Sequence, residues 1–173
     1  MVNESPPFNK EKFKQVVHYI VSIVGSLDNV GKTILYKILY FSDFDYYEIN
    51  GKSITGESYF KLKHGPAPSS FDLCVAELKE EEKIKEIKAN YGLPQIKFIS
   101  LQNPKLDLLN AEEIKIIDKI IKRLSGMTAR QVSGYSHEDI PWKATEENKE
   151  IDYDLVFYRD STYSVAEDSI KSC

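Results

Sequence analysis

The sequence predicts an α+β domain that is mainly α: five or six helices around one buried helix, residues 33–47, with a small antiparallel sheet. Three observations carry this. Thr33 to Tyr47, TILYKILYFSDFDYY, is apolar or aromatic on almost every side. Its strongly polar members, Lys37, Ser42, Asp43 and Asp45, scatter around the axis instead of forming one solvent stripe, as in a helix enclosed by its neighbours. Other stretches repeat apolar residues at helical spacing on one face only. A few short segments, near 58–63, 84–89 and 95–101, alternate as strands do.

At 173 residues the chain reads as a single domain large enough to bury a proper core. A net charge of −4 argues against a general nucleic-acid or anionic-membrane surface. Two cysteines, Cys74 and Cys173, are too few for a disulfide framework or a thiolate metal site and suit a reducing compartment. No apolar run approaches bilayer length and MVNESPPF is no signal peptide, so a cytoplasmic protein is expected. Eleven tyrosines suit both half-buried packing and protein-binding surfaces.

In chain order, Asn9 caps a helix to about Gly25 whose buried stripe is Phe13, Val16, Val17, Ile20 and Val24, with His18 at its boundary. Gly25 to Thr33 superficially resembles a phosphate loop. It has five residues between its glycines where that loop needs four, and a helix in front where it needs a strand. Asn50-Gly51 stops the central helix. Tyr59 to Lys63 is a short strand, and Gly65-Pro66-Ala67-Pro68 cannot be helical. Ser69 or Ser70 caps a helix with Phe71, Cys74, Val75 and Leu78 inside. The charged run that follows is solvated, and residues 84–89 and 95–101 form a hairpin, with a helical alternative for its first arm. Asn110 to Glu113 and Thr128 to Gln131 are capping boxes. The first opens a helix striped by Ile114, Ile117, Ile120, Ile121 and Leu124, the second a short helix to about Tyr135. Ser136 reads as a further cap, Trp142 as a packing anchor, and Tyr153–Tyr158 as a last apolar patch before a frayed end.

The residues with chemical potential are Asp43, Tyr47, Tyr59, Lys63, His64, His137, Glu138 and Trp142. An aspartate within an apolar helix needs a partner. Asp43 is expected to tie down a loop by accepting from a tyrosine hydroxyl or from the Gly65-Pro66 backbone. His137-Glu138-Asp139 lacks the second histidine of a zinc motif, and the chain has no nucleophile elbow and no phosphate cradle. No catalytic residue, metal or cofactor is therefore expected.

Lys37-Ile38-Leu39-Tyr40-Phe41-Ser42-Asp43, the glycine-bounded turn Gly51 to Gly56, Tyr59 and His64-Gly65-Pro66-Ala67-Pro68 resemble the Panacea domain of SocA-like antitoxins. Ser136-His137-Glu138 followed by Pro141-Trp142 resembles the same family's later motif. The resemblance spans about residues 10–145 of a single domain 1–173, with 146–173 as a C-terminal extension. It implies an antitoxin of a toxin–antitoxin system that binds its cognate toxin directly. One member of that family serves as a proteolytic adaptor for its toxin, and some relatives are phage-associated, so the resemblance also allows a protease as partner. Asp43, Tyr47, Tyr59, His64, Gly65, Pro66, His137 and Trp142 are the expected motif or partner-binding residues. Two alternatives stand beside it. One is a small hydrolase-like enzyme using Asp43 and His137 in one cleft. The other is a nucleic-acid-binding regulator reading through the Thr128–Tyr135 helix, for which Arg130 is the one base-reading cation.

Overall fold

The computed structural model describes residues 7–90, 92 and 94–166. The helices are α1 (Lys10–Val24), α2 (Lys32–Asn50), α3 (Phe71–Glu80), α4 (Ala111–Leu124), α5 (Ala129–His137) and the single turn α6 (Ile140–Lys143), followed by a 3₁₀ helix, Tyr153–Tyr158. Strands β1 (Tyr59–Leu62) and β2 (Gly65–Pro68) form one antiparallel hairpin, β3 (Ile84–Asn90) and β4 (Pro94–Ser100) another. The fold is thus mainly α with small antiparallel sheets. The sequence reading grouped the strands into one sheet. The structure separates them, because β1 pairs with the glycine-proline segment itself. Prolines suit β2, an edge strand that needs few backbone donors.

α2 is the axis of the molecule. It packs against α1, α4, α5, β2 and the 3₁₀ helix, and every residue from Lys37 to Glu48 is buried. Its rings continue into an aromatic stack: Phe44 lies 4.3 Å from Tyr40 and 4.2 Å from Tyr153, centroid to centroid. The helix ends where expected, at Gly51, whose φ of +73° only glycine adopts without strain. α4 and α5 carry the two capping boxes read from the sequence. The helical alternative for residues 84–89 is replaced by strand β3.

Several local expectations change. His18 is buried, not a boundary residue, because Ser100 Oγ and the Gln102 carbonyl engage its Nε2 at 3.0 and 3.1 Å. Ser70 starts α3 without capping it through its hydroxyl, which donates to Glu57 instead. Ser136 is not a cap. It closes the last turn of α5, donating to the Ser133 carbonyl, while Asp139 begins α6. The stretch after Trp142 docks onto the core, with Tyr153–Tyr158 as its 3₁₀ helix. Ile151, Tyr153 and Val156 enter the core, and Lys149, Glu150 and Ile151 align along β1. The expected fraying of the final residues falls at positions 167–173, outside the described residues, as does Cys173.

Candidate functional site

The polar residues of α2 sort into three clusters. The first is a clamp. Asp43 Oδ1 accepts from the Thr55 backbone N–H at 2.9 Å, and its Oδ2 accepts from the Thr55 and Tyr59 hydroxyls, both at 2.7 Å. Asp43 therefore ties down a loop with the help of a tyrosine, as expected, but the loop is 53–57 and not Gly65-Pro66. Glu57, which sequence reasoning missed, extends the clamp. Its carboxylate accepts from Ser58, Ser69 and Ser70, and its carbonyl from Tyr153. Burial pushes the Asp43 carboxyl up to about 6, against the three donors that favour its charge. Because the folded value is raised, stability from this group is lost as pH rises from about 4 through 6. Replacing Asp43 with alanine leaves three buried donors unpaired and is expected to cost about 2–4 kcal/mol in urea unfolding. A loss below about 1 kcal/mol would show that water satisfies them equally well.

The second cluster is a knot around Arg159. Its guanidinium, fully buried, donates to Asp45 at 2.8 Å, to Glu48 at 3.0 Å and to both oxygens of Asp139 at 2.9 Å. The Tyr40 hydroxyl donates to Asp139 at 2.8 Å, and Glu48 also accepts from Ser164, Val165 and Ala166. Burial alone would lower the Arg159 value. The Asp45 and Asp139 carboxylates overcome it and hold the group charged. Neither Arg159 nor Asp139 was singled out from the sequence.

The third cluster surrounds Gly65. This residue has φ +116°, and a Cβ there would lie 2.5 Å from both Lys37 Cε and Ser136 Oγ. The β1–β2 turn, Lys63-His64, sits beside it. His137 stacks on Trp142, with ring centroids 4.2 Å apart and planes 18° from parallel. Lys61 Nζ lies 4.0 Å from the indole centroid. Burial, then the charge of Lys37, lower the His137 value.

The structure therefore brings Lys37, His64, Gly65, Ser136, His137 and Trp142 together, and puts Asp43 and Tyr59 in a separate clamp. Pro66 is buried in β2, and Tyr47 donates to Asp154 in the first turn of the 3₁₀ helix. Asp43 and His137 form no acid–base pair: each carboxylate oxygen of Asp43 is taken by Thr55 or Tyr59. Among the described residues, no three His, Cys, Asp or Glu side chains gather as metal ligands, and no helix is long and apolar enough to cross a membrane. In comparison with known proteins, the family described as antitoxin SocA-like, Panacea domain, matches residues 35–143, from within α2 to the end of α6. No curated protein and no solved structure matches the chain.

Proposed function

Because the chain belongs to the SocA-like antitoxin family that carries the Panacea domain, we propose that it neutralises a cognate toxin protein by direct binding, in the cytoplasm and without catalysis of its own. The family match is the observation that carries this reading. The geometry supports it, since the carboxylates of α2 are committed to clamps that stiffen a platform. The whole of 1–173 acts as one domain, the extension being bound into the knot through Arg159. The motif residues Asp43, Tyr47, Tyr59, Gly65 and Pro66 serve as scaffold, and His64, His137 and Trp142 stand nearer the surface. For the toxin contact we assign Phe157 and Tyr158, which project from the 3₁₀ helix 59% and 74% exposed while Tyr153 and Val156 point inward. Exposed aromatics at the centre of an interface act as anchors.

Co-expression with the product of the neighbouring gene tests this. Growth arrest by that product alone, relieved by this chain, supports the reading. Toxicity that persists beside soluble chain overturns it. A toxin level that falls only when this chain is present would assign delivery to a protease, and a constant level would assign masking. Changing Phe157 and Tyr158 together to serine is expected to weaken capture of the toxin by at least roughly 30-fold, the effect of losing one anchor worth about 2 kcal/mol. Unchanged affinity in a binding titration would place the contact elsewhere.

A further inference from the structure

We infer that the cleft between α2, the β1–β2 turn and α5 binds the phosphoryl group of a small molecule, with Lys37 as its buried cation. This goes beyond toxin binding and stands on separate observations. The cleft measures about 560 Å³ and is lined by Thr33, His64, Arg130, Ser133 and His137, with Ala129 and Gly134 completing the wall. That volume is in the range of small-molecule sites. In a chain of net charge −4 its lining holds no carboxylate.

Lys37 is not among the lining residues but lies just behind them, against Gly65. It follows Thr33 by one turn on the same face of α2, and its charge is felt by His137 on the opposite wall. Its Nζ is 3.0 Å from the point where a Gly65 side chain would begin, next to His64. Lys37 is only 2% exposed. Yet among the described residues it has neither a carboxylate nor a hydrogen-bond acceptor, and the Tyr36 ring centroid is 5.9 Å from it. A buried ammonium without a counter-ion is costly, so this is a site where an anion supplies what the fold omits. Burial lowers the Lys37 value to about 7, and an oxyanion alongside would restore its charge. A second open valence lies close by: His137 Nε2 is buried without a partner.

The donor set favours phosphate over a single carboxylate. Lys37 Nζ, the Arg130 guanidinium and the His64 and His137 rings offer more hydrogen-bonding groups than one carboxylate can engage, and the Thr33 and Ser133 hydroxyls remain for further oxygens. Arg130 is at the exposed rim, placed to close on a bound group without being part of the core.

Isothermal titration of the full chain at neutral pH with inorganic pyrophosphate, inorganic phosphate and acetate tests the assignment. One saturable site per chain for pyrophosphate or phosphate is expected, with acetate at least roughly tenfold weaker. Lys37→Met should abolish the binding, and Arg130→Gln, a change at an exposed position, should weaken it by roughly tenfold. No saturable binding of either phosphate probe, equal binding of acetate, or undiminished binding by both variants would overturn the proposal. Arg130→Gln keeps the test decisive if Lys37→Met alters the fold, which circular dichroism and thermal melting of the free variant report.

Discussion

Replacing Arg159 with methionine is expected to destabilise the protein by about 3–5 kcal/mol, the range for removing one partner of a buried ion cluster. Methionine keeps much of the apolar volume, so the loss isolates the charge. Asp45, Glu48 and Asp139 have side chains at most 3% exposed. Without the guanidinium they become three buried carboxylates in mutual repulsion, with Arg123, 3.4 Å from Asp45 and partly exposed, as remaining compensation. The Tyr40 hydroxyl would still donate to Asp139. Urea unfolding of the two proteins measures the difference. The variant should recover part of its stability on acidification, as the orphaned carboxylates take up protons. A loss under about 1 kcal/mol, insensitive to pH, would show that the knot contributes nothing net.

Lys37→Met is expected to act in the opposite direction and stabilise the protein by about 1–3 kcal/mol at neutral pH. The lysine stem is packed in the core, and methionine fills a similar volume without a charge to desolvate. The pH dependence gives the check. Burial lowers the folded value from 10.5 to about 7, so between these limits the unfolded chain holds the proton that the folded chain releases. Wild-type stability from this group therefore rises with pH from about 7 to 10.5. The advantage of the variant is greatest below pH 7 and fades toward 10.5. His137, also lowered by burial and by Lys37, adds a smaller dependence of the same sign below its ordinary 6.5. A variant less stable than wild type at pH 6 would show that the ammonium is already well compensated. A more stable protein that no longer binds pyrophosphate would display the usual opposition between stability and a working site.

The central helix was legible because Thr33–Tyr47 has no face on which water could be tolerated, and that pattern survives any tertiary arrangement. The caps at Asn9, Asn110 and Thr128 were legible because their chemistry is complete within four residues. The two-hairpin arrangement was not, since pairing of β1 with Gly65–Pro68 depends on a two-residue turn at Lys63-His64 that carries no glycine or asparagine. Asp43 was recognised as needing a partner, but its partner loop was misplaced because sequence does not rank the nearby donors. Arg159 was out of reach altogether. It is one arginine in a polar tail, and the carboxylates that give it meaning lie 114, 111 and 20 residues earlier. The cleft at Lys37 was half visible: His64 and His137 were singled out, but the lysine on the buried helix was read only as a scattered polar residue.

The knot also sets a timetable for biosynthesis. A ribosome must add 111 residues after Glu48 before Arg159 exists, on the order of ten seconds of elongation. Throughout that interval Asp45 and Glu48 stand on the apolar helix α2 without the guanidinium that joins them, with Arg123 available to Asp45 only for its last part. α2 therefore gains its full set of partners only once residue 159 has been made.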